Sequence, residues 1–285
     1  MTISLVIPAY NEEATIAACL DSAVAQQPAF DEILVVDNSS TDSTVAIVGE
    51  YVAADHRIRL IVEPRQGVAF ARATGFDAAR GDIIARIDAD TRMAPGWSEA
   101  VLDSLRNGTW AAVTGVLMFY DAPLQGALTA AYLWSMRIQG KGDGGELPAV
   151  VGASMAIRAT AWATVREWVT HHDLPGTHED QVLSNALRRQ DIPMYYNPDM
   201  RALTSPRRVL IAPTGNVSLL VAGIKTAIDD RDFGDAAVRV VAAPFNLAFF
   251  TLLWLVVRPW DPASGTWSLA RFFAPVEQRG SAITR

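Results

Sequence analysis

The feature that most constrains this chain is an alternation of short apolar runs with longer amphipathic runs through its first 90 residues. In the longer runs, apolar residues such as Ile16, Leu20 and Val24 recur at helical spacing. Strands that alternate with helices in this way form βαβ units, so the pattern predicts an α/β fold with a mainly parallel sheet sandwiched by helices. The apolar, β-branched runs are ISLVIPAY, EILVVD, RIRLIVEP and GDIIARIDAD.

The middle of the chain continues the pattern less regularly. Ser40 or Thr41 is placed to cap the helix that follows EILVVD. The glycine-rich segment GKGDGGELPAVVG is typical of a mobile loop. The 285 residues therefore fit one α/β domain over residues 1–205 and a C-terminal helical extension over residues 206–285. The other predicted elements are a strand in WAAVTGVLMFYD, a strand and helix in ASMAIRATAWATV, a helix in THEDQVLSNALRR and a strand in IPMYYNPD.

Composition excludes several kinds of site. Hydrophobic residues make up 50% of the chain and charged residues 19%, which is enough to bury a sizeable core. The single cysteine, Cys19, excludes a disulfide framework and a cysteine-based zinc site. The net charge of −7 argues against non-specific binding of nucleic acid.

The C-terminal extension is basic and apolar. From residue 201 onward there are ten Lys and Arg residues against six Asp and Glu residues, and residues 240–257 form an 18-residue stretch without a charge. This length meets the lower limit for a membrane-spanning helix, although Pro244 and Asn246 weaken a simple spanning helix. The alternatives are contact with or insertion into a membrane surface, an apolar face for self-association such as a homodimer, and plain core. No secretory signal is visible at the N-terminus, so we expect a cytoplasmic protein, with the inner face of the cell membrane as its site of contact.

Polar clusters follow three of the predicted strands. They are AYNEE after the first strand, DNSSTD after the second and DAD after the fourth. The carboxyl ends of parallel strands meet at one edge of a sheet, where ligands bind in folds of this class. The sequence therefore predicts a ligand site built from these clusters.

Asp88 and Asp90 form an Asp-Ala-Asp sequence directly after a predicted strand. In an extended chain, residues two apart face the same side, so both carboxylates are expected to enter one space. Such oxygen ligands suit Mg²⁺ or Mn²⁺, which complete their coordination with water and substrate phosphates. The alternative is an acidic turn that caps the next helix.

Three further positions are candidates for binding a nucleotide. Asp37, at the end of EILVVD, can accept hydrogen bonds from a base or a ribose, or can form an Asx-turn or cap, for which Asp42 is also available. Arg65 and Arg72 flank Gly67, and arginine forks suit phosphate oxygens. The alternative for these arginines is a solvated helix face.

Glu179 and Asp180 open a predicted helix after His178. A carboxylate at a helix N-terminus commonly serves the helix dipole or the cap. Its functional alternative is a general base that takes a proton from an acceptor hydroxyl.

Taken together and in order, these segments resemble family 2 glycosyltransferases, which have the Rossmann-like GT-A fold. The similarity covers roughly residues 2–205. Each motif is weak singly, whereas five of them in the right order are specific. The matching segments are VIPAYNEEATI, VVDNSSTDST, RQGVAFARATG, ARIDAD with its DxD motif, and HEDQVLSNAL.

The resemblance implies roles on the donor side. Asp37 would bind the base, usually uracil or guanine, and Arg72 would support the DxD motif. Asp90 would ligate Mn²⁺ or Mg²⁺, and Asp88 would contact the metal or the ribose. The full set implied or proposed for the nucleotide sugar is Pro8, Tyr10, Glu12, Asp37, Arg65, Gly67, Arg72, Asp88, Ala89 and Arg207.

The resemblance also implies an activity. A sugar would move from a nucleoside diphosphate sugar of the UDP or GDP type to an acceptor hydroxyl, and a lipid-linked acceptor is one candidate. Asp180 would be the base, with Glu179 beside it, and Arg207 or Arg208 would contact diphosphate or an anionic lipid head group. With one base and no second nucleophilic carboxylate evident, we expect single displacement with inversion.

The chain departs from the family pattern at several positions. Asn38 and Ser39 replace the usual Asp-Gly, and Ala73 stands where an asparagine often follows the arginine. No Gln-x-x-Arg-Trp motif follows Asp180, which disfavours processive polymer synthesis. No histidine follows His178, so a late histidine metal ligand is absent from the sequence.

Two other classes of function remain alternatives. A nucleotidyltransferase also uses paired aspartates, but it would usually carry a glycine-rich basic loop where this chain reads AYNEEATI. A non-catalytic sugar-nucleotide-binding protein is disfavoured by the intact set of Asp88, Asp90 and Asp180. A Rossmann dehydrogenase is disfavoured because no GxGxxG sequence follows the first strand.

Overall fold

The structure, a computed structural model, describes residues 1–172 and 177–274. Its centre is a nine-stranded sheet with the order β3-β2-β1-β4-β8-β6-β9-β5, in which β7 pairs with the start of β9. The strands are β1 (Ile3–Ala9), β2 (Glu32–Asp37), β3 (Ile58–Val62), β4 (Ile83–Ile87), β5 (Thr91–Met93), β6 (Ala112–Phe119), β7 (Gly145–Leu147), β8 (Ser154–Arg158) and β9 (Met194–Thr204).

Helices cover both faces of this sheet. One face packs against α1 and α4 and the other against α3, α6 and α7. This arrangement confirms the predicted α/β class. The helices are α1 (Ile16–Val24), α2 (Thr44–Ala54), α3 (Val68–Ala78), α4 (Trp97–Arg106), α5 (Gln125–Ile138), α6 (Ala159–His172), α7 (Glu179–Arg189), α8 (Arg207–Leu210), α9 (Val217–Asp229), α10 (Phe233–Val257) and α11 (Leu269–Phe273).

The burial of β1 and β2 explains their nearly continuous apolar sequences. Every residue of both strands is buried. Successive side chains of a strand point to opposite faces, so Leu5 joins the core on one face and Val6 the core on the other. A strand covered on both faces needs apolar residues at most positions rather than at every second one.

Strands β3, β2, β1 and β4 run parallel, whereas β8 is antiparallel to both β4 and β6, so the sheet is mixed. Strands β1 and β2 end side by side, because Ala9 is paired with Asp37. Strand β4 is parallel to β1 and ends at Ile87. The three polar clusters therefore lie at one edge of the sheet, as the sequence predicts.

Two local expectations are wrong. The glycine-rich segment contains strand β7, because residues 145–147 pair with β9 instead of forming loop alone. Helix α2 begins at Thr44, and neither Ser40 nor Thr41 caps it. Ser40 instead accepts a hydrogen bond from the Asn11 amide at 3.0 Å, while Asp42 Oδ1 accepts the Thr44 amide at 2.9 Å.

The apolar stretch of the C-terminal extension lies in one long exposed helix. Helix α10 spans 25 residues and continues through Pro244. Its most apolar 18-residue window has a mean hydropathy of 2.2, and only 6% of that window is buried. By length and composition this helix is able to cross a membrane. The plain-core alternative is therefore wrong, while residues 275–285 of the predicted extension lie outside the described residues.

Candidate active site

A cleft opens at the carboxyl edge of β1 and β4. It brings together predicted residues from the first strand, the DxD segment, the start of α7 and the basic segment after β9. Residues that sequence reasoning left out, such as Asn38 and Arg86, also line it. The lining residues are Pro8, Ala9, Tyr10, Glu12, Asn38, Val68, Ala71, Arg86, Asp88, Ala89, Glu179, Arg207 and Arg208.

Asn38 stands where the family that the sequence resembles usually has an aspartate, and it organises one wall of the cleft. Its side-chain amide donates to the carbonyls of Glu63 at 2.9 Å and Arg65 at 2.7 Å. Its Oδ1 accepts the Gly67 amide at 2.7 Å. Gly67 has a φ of +139°, a conformation that favours glycine. The asparagine therefore fixes the loop that leads into α3.

Asp37 lies beneath this wall and is 4% exposed. Both of its carboxylate oxygens lie 3.3 Å from the Ser40 amide, so the turn expected as the alternative role is present. Arg65 is not among the residues that line the cleft. Its guanidinium pairs with Glu63 at 3.0 Å and lies over the Phe70 ring at 4.7 Å. A donor role for Asp37, Arg65 or Gly67 stays a prediction.

Asp88 and Asp90 lie in a turn rather than an extended segment, because the Thr91 amide donates to the Asp88 carbonyl at 2.9 Å. Their carboxylates consequently contact different arginines. Asp88 accepts from Arg86 Nη2 at 2.9 Å, and Asp90 pairs with Arg207 Nε at 2.9 Å. The Asp88 side chain is 33% exposed and the Asp90 side chain only 8%.

Arg207 links the DxD turn to the first loop of the chain. Its Nη1 and Nη2 donate to the two carboxylate oxygens of Glu12 at 2.8 and 2.6 Å, while its Nε faces Asp90. Glu12 also accepts the Thr15 hydroxyl at 2.7 Å, and Asp90 accepts the Thr204 hydroxyl at 3.2 Å. One guanidinium therefore neutralises two buried carboxylates from separate segments of the chain.

Asp90 has the electrostatic character of a cation ligand. Burial raises its pKa to about 6; the charge of Arg207 opposes the rise, and the nearby carboxylates of Asp88 and Glu12 add to it. Among the described residues, no group of three or more His, Cys, Asp or Glu side chains is arranged to hold a metal. Mg²⁺ and Mn²⁺ need only one or two carboxylates when substrate phosphates and water supply the rest, so the residues present fit such an ion.

Arg86 forms a second bridge, which sequence reasoning missed. Its side chain is 1% exposed, and Nη2 lies 2.9 Å from Asp88 Oδ1 and 3.3 Å from Glu179 Oε1. It joins β4 to the start of α7, which lies 93 residues further along the chain. The signal in the sequence is a charged residue inside an apolar strand, because a fully buried charge needs a partner.

Glycine at position 152 leaves room for this bridge. A Cβ there would lie 2.7 Å from Arg86 Nη1 and 3.2 Å from Asp180 Cβ. Arg72 lies beside Arg86 and is 1% exposed. Burial and then the charge of Arg86 lower the pKa of Arg72 to about 10, so Arg72 stays protonated at neutral pH. Arg86 contacts Asp88 of the DxD segment directly, whereas the support by Arg72 that the resemblance implies stays a prediction.

Asp180 lies at the start of α7, next to Glu179. Its Oδ2 faces the Gly152 amide at 3.4 Å, and its Oδ1 lies 3.7 Å from His178 Nδ1. Burial alone would raise the pKa of Asp180, but the hydrogen bond and charge of His178, followed by the charge of Arg86, lower it. Asp180 is therefore a carboxylate at neutral pH.

The C-terminal extension forms hydrogen bonds with the segment that carries Asp180. The His178 amide donates to Thr226 Oγ1 at 3.0 Å, and His178 Nε2 lies 3.0 Å from the Leu219 carbonyl. Further along α7, Gln181 Nε2 donates to Asp235 Oδ2 at 3.2 Å. Helices α9 and α10 are thus tied by hydrogen bonds to the acidic end of α7.

Comparison with known families gives one match. A model of the family described as "Glycosyl transferase family 2" matches residues 4–162, which is more than half of the chain. The match covers the DxD turn and Arg86 and ends before Glu179, Asp180 and Arg207.

The chain also resembles a curated protein, the putative glycosyltransferase EpsH of Bacillus subtilis (strain 168). The two are 37% identical over 100 residues, which is 35% of this chain and 29% of that protein. The matched part of the chain thus spans less than a third of this relative.

Two solved structures share the fold. The mannosyltransferase PcManGT from Pyrobaculum calidifontis, in complex with GDP-Man and Mn²⁺, has a TM-score of 0.64 at 19% identity, with 94% of this chain and 76% of that chain covered. Glucosyl-3-phosphoglycerate synthase from Mycobacterium tuberculosis, with Mn²⁺, UDP and glucosyl-3-phosphoglycerate, has a TM-score of 0.51 at 22% identity, covering 80% of this chain and 79% of that one. The likeness confirms the predicted GT-A fold.

The Arg86 bridge makes a prediction about stability. We expect Arg86→Met to lower the free energy of unfolding by about 3 kcal/mol, because it leaves two carboxylates without their buried cation. Arg166→Met is the matched control. It breaks the surface pair with Asp77, whose side chains are 53% and 33% exposed, and should cost under about 1 kcal/mol. Urea denaturation measures both, and equal losses in the two variants would contradict the bridge.

Proposed function

Because this chain belongs to glycosyl transferase family 2, we propose that it moves a sugar from a nucleoside diphosphate sugar to an acceptor hydroxyl with the help of a divalent cation. The observation that carries the proposal is the cleft itself, in which the DxD turn faces the acidic start of α7 across the Arg86 bridge. We assign this chemistry to residues 1–205 and a supporting role to residues 206–285.

Asp90, with Asp88 beside it, is the proposed holder of Mn²⁺ or Mg²⁺. When bound, such an ion neutralises the negative charge that develops on a departing diphosphate. Solved structures of the same fold contain Mn²⁺ with GDP-Man in one case and with UDP in another. These neighbours support a donor of the UDP or GDP type.

Some of the remaining donor contacts are assigned from position in the cleft, and the others from the resemblance to the family. Pro8, Tyr10 and Ala89 line it and would contact the nucleotide. Glu12 and Arg207 would lie near the diphosphate, and the proposed partner of the base is Asp37, with Arg65, Gly67 and Arg72 as supporting positions. Arginine is suited to diphosphate because its fork donates two parallel hydrogen bonds to phosphate oxygens.

Asp180 is the proposed general base. It is ionised at neutral pH, and two groups fix its carboxylate: the Gly152 amide and the His178 ring. It would take the proton of the acceptor hydroxyl as that oxygen attacks the anomeric carbon. A single displacement of this kind inverts the configuration at that carbon, and Glu179, which faces the cleft, would help to place the acceptor.

The donor proposal predicts metal-dependent stabilisation. A ligand that binds only the folded protein raises its stability by about 2.7 kcal/mol at a hundred times its dissociation constant. We expect UDP- or GDP-sugars to raise the melting temperature more with Mn²⁺ than without it. Asp90→Asn should abolish the Mn²⁺-dependent part of the increase in melting temperature. No shift with any UDP-, GDP- or dTDP-sugar would contradict the proposal.

Asp180→Asn tests the base. We expect donor binding to persist while kcat falls by about 100-fold or more, because proton removal from the acceptor is lost. Thr164→Val is a control, since its hydroxyl bonds only within α6 at 3.0 Å. NMR of the product then reports the anomeric configuration. Near-normal turnover in Asp180→Asn removes the residue from the mechanism, and retained configuration overturns the inverting proposal.

We further propose that α10 contacts a membrane surface on the cytoplasmic face and brings the site close to a lipid-linked acceptor. Large apolar side chains are exposed along this helix, among them Phe245 at 73% and Leu252 at 59%. Exposed apolar surface of this extent marks an interaction site. The basic residues of the extension add attraction to anionic lipid head groups.

Liposome flotation tests this contact. The double variant Phe245→Glu/Leu252→Glu should lose binding to vesicles of anionic lipid, and deletion from Ala236 onward should move the protein to the soluble fraction. Val62→Glu is the control, because Val62 is 64% exposed but lies on the edge strand β3. The membrane proposal is overturned if the full-length protein is soluble without detergent and does not bind liposomes. A dimer that dissociates in the double variant would favour self-association instead.

A further inference from the structure

The guanidinium of Arg207 contacts Asp90, the proposed cation ligand, and Glu12. All three of its nitrogens are used: two face Glu12 at 2.8 and 2.6 Å, and the third faces Asp90 at 2.9 Å. The carboxylates are 8% exposed, and the arginine side chain is 27% exposed. The arginine therefore closes over the acids from the open side of the cleft.

Arg207 is the only cation in contact with these two acids among residues 1–172 and 177–274. Their remaining side-chain partners are the neutral hydroxyls of Thr15 and Thr204. A buried carboxylate without a cation is costly, so the pair needs a positive charge whether or not a metal is bound. Arg207 supplies that charge from within the chain.

We infer that Arg207 occupies the cation position on Asp90 until the donor arrives, so that the metal and the donor diphosphate bind together and not metal first. The inference rests on the proposed function. A divalent ion held by Asp90 would compete with the Arg207 guanidinium for the charge of that carboxylate. Without a nucleotide, loss of the contact with Asp90 would leave Arg207 with Glu12 as its anionic partner and no second anion in exchange.

A bound diphosphate lowers the cost of moving Arg207 away from Asp90. It offers phosphate oxygens that accept from arginine, so Arg207 can exchange its contact with Asp90 for one with phosphate. Arg207 is the first residue of the four-residue helix α8, and Arg208 beside it is exposed and already lines the cleft.

Direct Mn²⁺ binding to the full chain tests the inference by calorimetry or by the EPR signal of free Mn²⁺, with no turnover involved. The wild type should bind Mn²⁺ weakly alone and much more tightly with UDP or GDP. Arg207→Gln should bind Mn²⁺ alone about tenfold more tightly, since one charge-assisted contact no longer competes. The further increase in Mn²⁺ affinity that the nucleotide causes should be smaller in this variant than in the wild type.

Two other variants distinguish the loss of the Arg207 contact from the loss of one positive charge. Arg208→Gln removes the same charge from the neighbouring residue, for which the structure shows no ion pair with Asp90 or Glu12 among the described residues. It should leave the affinity for Mn²⁺ in the absence of nucleotide within about twofold. Arg207→Lys keeps the charge but, as a point charge, cannot bridge both acids, so its affinity should lie between wild type and Arg207→Gln.

The outcomes are distinct. Unchanged or weaker Mn²⁺ binding by Arg207→Gln overturns the role of Arg207, and so does an equal gain in Mn²⁺ affinity in Arg208→Gln. The proposed function stays intact in either case if the wild type binds Mn²⁺ together with a nucleotide. Loss of all Mn²⁺ binding in Asp90→Asn places the ion on the DxD turn. Absence of Mn²⁺ binding to every protein, with either nucleotide, overturns both this inference and the proposed metal-dependent function.

Discussion

The structure of the cleft depends on the need of buried charged groups for partners of opposite charge. Two arginines meet this need, and each joins acids that are far apart in the chain. Arg86 holds Asp88 and Glu179 together, and Arg207 holds Asp90 and Glu12 together. Removing a partner from such a buried pair leaves an uncompensated charge, so each bridge constrains the position of both elements it joins. The Arg86 bridge thereby holds the DxD turn near the start of α7, and the Arg207 bridge holds it near the first loop.

The fold and the edge that carries the site follow from local pattern. The β-branched runs and the helical spacing between them predict β1 to β4 and α1 to α3, and parallel strands bring their carboxyl ends to one edge. The DxD segment and the Glu179–Asp180 pair were found in the same way. Strand β7 was missed because its stability comes from pairing with β9, about fifty residues away, which no local pattern reports.

The arginine bridges were the least predictable part of the site. Arg207 meets Glu12 across a separation of 195 residues, and spacing along the chain carries no information about such a contact. Arg86 did leave a signal, since a charge within an otherwise apolar buried strand requires a partner. The extension adds a further non-local contact, because His178 is held by Thr226 and Leu219. Through that histidine, a helix pair with an exposed apolar surface is physically joined to the carboxylate of Asp180.

The most direct measurement is a crystal structure of the protein with Mn²⁺ and either UDP or GDP. It should show the ion on Asp90, the diphosphate in the cleft between Tyr10 and Asp88, and the Arg207 guanidinium moved from Asp90 to a phosphate oxygen. A nucleotide bound outside this cleft, or an ion that does not touch the DxD turn, would contradict the assignment of the site.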